Sequence, residues 1–139
     1  MTQVANTVKS VKNIRLKIGA TDTYELHANN VAWSKNTTSV EWVGGTPEAQ
    51  YSDSVVTTHV CAITLAKDYQ NEDSLFNWMI DHEGETVAIE YRPDAEADFV
   101  QTATITVVAP DTGGAMRQFH EATVNCPSTK PVRTFTAPA

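Results

Sequence analysis

VVTTHVCAITLA, residues 55 to 66, is the stretch that decides the fold. Val, Thr and Ile dominate it, and their branched Cβ atoms suit a pleated strand better than a helix. Cys61, Ile63 and Leu65 recur at every second position, the period of a strand with one buried face. It is the longest strand candidate in the chain.

The same period recurs on both sides of it. Ile14, Leu16 and Ile18 alternate with Arg15 and Lys17 within Asn13 to Ile18; Tyr24, Leu26 and Ala28 alternate with Thr23, Glu25 and His27. Val31, Trp33, Val40, Trp42 and Val43 follow, interrupted by the polar SKNTT, and then GGTPEAQYSDS reads as open loop. Together these predict a long hairpin or arm over about residues 31–54. Downstream, Glu85 to Tyr91, Phe99 to Val108 and Arg117 to Cys126 read as strands, with Pro110 to Gly114 as a loop. The tail from about residue 127 to 139 holds three prolines from Pro127 to Pro138 and reads as a terminal arm.

One segment, about residues 72–83, reads as helix. Asn71 can cap it, Glu72 and Asp73 favour its positive end, and Gly84 can close it. Leu75, Phe76, Met79 and Ile80 share a face at helical spacing, with Trp78 on the flank. Strands predominate and do not alternate with helices, which argues against a parallel βαβ architecture. The expected class is mainly β: one domain over residues 1–139, a β-sandwich or partly open barrel of about eight strands with one flanking α-helix and terminal arms.

The 139 residues are 41% hydrophobic and 19% charged, an ordinary folded balance. No apolar run reaches the roughly 18 residues of a membrane span. MTQVANTVKSVKNIRLKIGA lacks the continuous apolar block of a secretory signal. A net charge of −7 argues against a surface built to grip nucleic acid. That charge is uneven. Lys9, Lys12, Arg15 and Lys17 stand at the start, and Lys130 and Arg133 near the end; ten acids between Asp68 and Asp98 face only Arg92. Basic ends and an acidic middle suit contact between copies, or simply solvated faces. Cys61 and Cys126 lie on apolar sides of their strands and read as buried free thiols.

A search for convergent reactive groups finds none. His27, His59, His82 and His120 have no zinc-motif spacing, and two cysteines make no CxxC. His82 suits a helix C-terminus; His120 and Glu121, adjacent in a strand, point to opposite faces. Gly44-Gly45-Thr46 and Gly113-Gly114 lack the Lys of a phosphate loop and read as turns. The acids of residues 94–98 lack the ligand alternation of a calcium loop. The reading is therefore a non-enzyme without metal or cofactor. Trp33, Trp42 and Tyr51 remain: they plug this chain's own core edge or anchor an interface, where aromatics are enriched. The long polar arm carrying them reads as interface, with Gly44, Gly45, Thr46 and Pro47 at its turn.

DYQNEDSLFNWMIDHEGETVAIEYRP (68–93), ATITVVAPDTGGAMRQFHEATVNCPSTKPV (103–132) and VEWVGGTPEAQYSD (40–53) together resemble the major tail protein, or tail tube protein, of long-tailed phages, most closely those of actinobacteria. The shared features are Asp73-Ser74-Leu75 opening a helix; Gly84-Glu85-Thr86-Val87 leading into a strand; the Thr104–Val107 strand; Gly113-Gly114; Ala122-Thr123-Val124; and Lys130-Pro131. Cys126 before Pro127 departs from the pattern. The resemblance implies a structural virion protein of the tail, assembled in the host cytoplasm. Its copies would form hexameric rings stacked into a tube around a tape-measure protein, capped by tail-end proteins. DNA would pass through without specific binding, and no membrane is involved. It implies that loops and arms bridge subunits and rings. Thr102, Thr104 and Thr106 are the expected lumen face, polar and unreactive, and high salt is expected to alter assembly. The alternatives are an immunoglobulin-like binding or adhesion module, and a tail-terminator or head-completion ring protein.

Overall fold

The computed structural model describes residues 2–19, 22–24 and 26–137. Glu25, which belongs to the expected alternation after Gly19, and the last two residues of the expected C-terminal arm lie outside them. The protein is mainly β. Its strands are β1 (Arg15–Ile18), β2 (Asp22–Thr23), β3 (Ala28–Val43), β4 (Gln50–Ala66), β5 (Thr86–Arg92), β6 (Phe99–Thr106), β7 (Glu121–Ser128) and β8 (Val132–Phe135), with one helix, α1 (Leu75–Asp81), between β4 and β5. All pairings are antiparallel, in a single open sheet of order β2-β1-β5-β6-β7-β4-β3.

The sheet folds over through one stretch of chain. β7 pairs with β4 along its whole length, from His59↔Ser128 to Ala66↔Glu121. At Ser128 it meets Ile105 of β6, and after Lys130-Pro131 the chain continues as β8 along the same β6, from Thr102↔Val132 to Phe99↔Phe135. A strand that changes partners this way turns a corner between two layers. The layers do meet: the Trp33 ring of β3 lies 5.8 Å from the Tyr91 ring of β5, although three strands separate β3 from β5 in the sheet. Leu16, Ile18, Val31, Ile63, Ile89, Ile105 and Val124 fill the space between, and Leu75, Phe76 and Met79 of α1 pack onto them.

The expected C-terminal arm is thus in part a docked strand. Its prolines allow this because Pro131 falls in the step between β7 and β8, where no ladder donor is required, and Pro127 lies one residue from the strand end. The polar SKNTT does not break β3, and GGTPEAQYSDS is a loop only over residues 44–49: Gln50–Ser54 belong to β4, pairing with Ser39–Val43. Ser and Thr suit a strand with solvent on both faces, so apolar alternation is not needed there. The one irregularity in this part of the hairpin is a register shift between Asn36 and Thr37.

The helix is shorter than its periodicity implies. Ser74, not Asn71, is the N-cap: its Oγ accepts from the Asn77 N–H at 3.3 Å and donates to the Asp68 carbonyl at 3.0 Å. Glu72 and Asp73 precede the cap rather than occupying the first turn, and Ile80 is exposed. Asn71 serves instead as the turn before it, its Oδ1 accepting from the Asp73 N–H. Ser74 is the buried polar residue of the core, so Ser74→Ala removes two hydrogen bonds from a dry site. The expected cost is about 1–2 kcal/mol, read as a fall of roughly 3–8 °C in the thermal midpoint.

Cys61 and Cys126 are register partners across β4 and β7, both free and fully buried. Burial, with a smaller contribution from the neighbouring Cys126, pushes the Cys61 thiol up to about 12. Burial also raises Cys126, partly offset by a backbone hydrogen bond from Val108. Only thiolates attack thiol reagents. At pH 8 the native protein should therefore leave a chromogenic disulfide reagent unconsumed, while the denatured chain consumes two equivalents. Because the folded state holds these protons more tightly than the unfolded chain, stability should fall as pH rises above the ordinary thiol value of about 8.5.

Candidate assembly surface

The β3–β4 hairpin extends well beyond the sheet that anchors it. From Ser34 to Val43 and from Gln50 to Val55 every described side chain is exposed. Past the Lys35↔His59 pair the ribbon runs on to Val43↔Gln50, roughly 27 Å at about 3.4 Å per residue. An isolated two-stranded ribbon is marginal in water. This one has a shaped tip. Trp42 and Tyr51 are register partners with ring centroids 5.7 Å apart. The Gly44 N–H donates to the Ala49 carbonyl at 2.6 Å, closing the connection. A Cβ at Gly44 would meet the Ala49 Cβ at 2.6 Å and the Trp42 ring at 3.0 Å, so only glycine lets the indole fold over the turn. Trp42 is nevertheless 59% exposed and Tyr51 67%, with Val40 and Val43 exposed beside them. Gly45, Thr46 and Pro47 form the outer rim of the turn, in solvent.

Of the expected contact residues, Trp42, Gly44, Gly45, Thr46, Pro47 and Tyr51 therefore come together at one tip. Trp33 does not join them. It lies at the base of the ribbon, packed against the core beside Tyr91, and its Nε1–H donates to the Ser128 Oγ at 3.1 Å. It plugs this chain's own core edge. Sequence spacing cannot separate it from Trp42, because both occupy the same long strand.

Thr102, Thr104 and Thr106 share the face of β6 opposite Ile105, partly exposed. The Thr102 hydroxyl donates back to the Val132 carbonyl at 3.4 Å, and β8 runs alongside. The cross-strand row Lys17↔Glu90↔Thr102 and the Arg15↔Arg92 pair two positions on put three bases and one acid on this side of the sheet. A second face of the same kind was not evident from the sequence: the outer side of β3, β4 and β7. There Ala32↔Ala62↔Asn125 and Asn30↔Thr64↔Thr123 form uncharged rows, and the Thr64 and Thr123 hydroxyls hydrogen-bond at 2.9 Å. Only the strand order brings these rows together.

The segregated charges are partly satisfied inside the chain. Lys9 Nζ lies 3.2 Å from Glu96 and 3.6 Å from Asp94, which raises the Lys9 pKa, the hydrogen bond to Glu96 being the largest cause. The Ala95 N–H donates to the Asn13 carbonyl. The N-terminal segment is thereby held against the chain's own acidic turn. His82 caps α1, its backbone N–H donating to the Trp78 carbonyl and its ring stacked on the Trp78 indole at 4.5 Å.

Among the described residues no three His, Cys, Asp or Glu side chains converge on a possible metal position. Among the described residues no helix is long and apolar enough to cross a membrane. No family model and no curated protein matches the chain.

Proposed function

We propose that this chain is the self-assembling structural subunit of a phage tail tube, its copies forming hexameric rings that stack into a conduit for DNA ejection. One observation carries the proposal: the projecting ribbon with Trp42 and Tyr51 exposed on a glycine-shaped turn. A monomer gains nothing from holding two large aromatic rings in water, whereas desolvated aromatic anchors dominate protein interfaces. The motifs shared with tail tube proteins supply the kind of assembly. Two further features support it. The chain is acidic overall, which keeps a polyanion moving rather than bound. The outer face of β3, β4 and β7, with Thr64, Thr123 and Asn125, is polar and nearly uncharged, as suits a channel wall for DNA; the face with Thr102, Thr104 and Thr106 also carries Arg15, Lys17, Glu90 and Arg92 and is the weaker lumen candidate. In this reading a tape-measure protein occupies the lumen during assembly and tail-end proteins cap the tube.

Negative-stain electron microscopy of the concentrated purified protein tests it. Stacked rings or tubes with a central channel are the expected result. A particle that stays at 15.2 kDa at every concentration in sedimentation overturns the proposal in favour of a monomeric binding module.

A further inference from the structure

β3 is the last strand of the sheet, and among the described residues no strand pairs with its outer edge. β2, at the other end, has two residues; β3 has 16. The turn fixes where the free backbone groups of β3 point. The Gly44 N–H bonds to the Ala49 carbonyl, so Trp42, Val40 and Thr38, at alternate positions before it, also turn their N–H and C=O groups toward β4. Trp33, Lys35, Thr37, Ser39, Glu41 and Val43 turn theirs to the open edge. The register shift between Asn36 and Thr37 leaves this unchanged, because the extra residue, Thr57, lies on β4. An open edge of this length is usually blunted by proline, a bulge or several charges. From Trp33 to Val43 this one has no proline, no inserted residue, and two charges, Lys35 and Glu41. Both side chains are exposed on the same face of the strand, and among the described residues neither has an ion-pair partner in its own chain.

We infer that this edge pairs, antiparallel, with the same edge of a second copy, about a two-fold axis through Thr38. Charge selects the register. Lys35 and Glu41 lie three residues to either side of Thr38, so each copy's Lys35 faces the other's Glu41, and one contact holds the opposite-charge pair twice. Centring the contact on residue 35 or 41 sets like charges against each other, and the remaining registers leave both charges opposite neutral residues. Backbone geometry admits the same register. It matches position 35 with 41, 37 with 39 and 33 with 43, all of which turn their hydrogen-bonding groups outward, so a regular ladder closes. Two charges an odd number of positions apart could not both do this. Thr38 then meets the second copy's Thr38, and the exposed Val43 meets the second copy's Trp33. The ribbon's other titratable groups do not oppose the pairing. Asp53, the partner of Val40, lies on the opposite face; Glu48 is in the turn beyond the paired stretch; His59 sits beside Lys35, one strand in. The contact is isologous and closes at two copies. A stack of like-oriented rings offers no such two-fold axis, so the pair is a form of the free subunit that competes with the tube for the ribbon.

Charge reversal tests it. K35E sets two carboxylates against each other at both ends of the contact, and E41K sets two ammonium groups. In sedimentation each alone should pair at least about tenfold more weakly than the wild type. The double variant K35E/E41K restores both opposite-charge pairs and should match the wild type. An equal mixture of K35E and E41K should pair as well, each chain with the other kind. Both positions are exposed, so circular dichroism and the thermal midpoint should stay unchanged throughout. T38C reads the register. Facing residues that are not hydrogen-bonded have Cα atoms about 4.5 Å apart, within disulfide range. Oxidised glutathione should therefore link two T38C chains, leaving as two reduced glutathiones. V55C, half exposed on β4 and one strand removed from the axis, should give no linked chains. Single variants that pair like the wild type, a double variant that does not recover, or T38C chains that stay unlinked overturn the inference. The tube reading fails separately. Tubes from wild-type protein beside unlinked T38C remove the pair and leave the tube. Pairing rescued by the double variant, beside wild-type protein that never yields a channelled particle, removes the tube and leaves the pair.

Discussion

Trp42→Ala combined with Tyr51→Ala should leave a folded protein that no longer assembles. Within one chain the two rings touch each other and the turn, and little else. A cross-strand aromatic pair of this kind contributes about 0.5–1.5 kcal/mol beyond its area. Both rings are already more than half in solvent, so little buried area is lost besides, and the tip lies far from the cooperative core; the thermal midpoint should move by only a few degrees. The interface loss is larger. Truncated aromatic anchors at a desolvated contact each cost about 2 kcal/mol or more. Two of them raise the concentration needed for assembly by about three orders of magnitude at 1.4 kcal/mol per factor of ten. Light scattering against concentration measures this directly. Tubes forming at the wild-type threshold would remove the tip from the interface.

The legible part of this fold is what local chemistry dictates. Leu16 and Ile18 at alternating positions placed β1, Val, Thr and Ile placed β4, β5 and β6, and the Leu75, Phe76 and Met79 spacing placed α1. What was obscured depends on partners distant in sequence. SKNTT looks like an interruption because a strand is recognised by its buried face, and this ribbon has none. Prolines in the tail look like an arm because the step from β4 to β6 at Ser128 exists only once the sheet curls. Ser74 took the cap from Asn71 because the Asp68 carbonyl was there to receive its hydroxyl. The candidate site divides the same way. Trp42, Tyr51 and the Gly44-Gly45 turn are contiguous in sequence and stand out as a unit. Thr64 and Thr123 are 59 positions apart, and only the β4–β7 ladder brings them together on the uncharged outer face.

Trp33→Ala should behave in the opposite way from the tip variant. Its indole packs on Tyr91 across the two layers and donates to Ser128, which belongs to the strand end that turns the corner into β8. Removing a packed tryptophan costs about 3–5 kcal/mol. This one is only partly buried, so the low end applies, about 3 kcal/mol and a midpoint lower by roughly 10 °C. Trp33→Phe keeps the ring contact and loses the hydrogen bond; Ser128 Oγ still donates to the Thr129 carbonyl, so about 1 kcal/mol is expected. Below the new transition the alanine variant should still assemble, because its ribbon tip is intact. Unfolding and assembly are then separable by residue along a single strand: position 33 moves the thermal midpoint and spares assembly, position 42 does the reverse. If Trp33→Ala instead stopped assembly with an unchanged midpoint, the indole would be an interface anchor after all, and the contact between the two layers would have to be held by Tyr91 and its other neighbours alone.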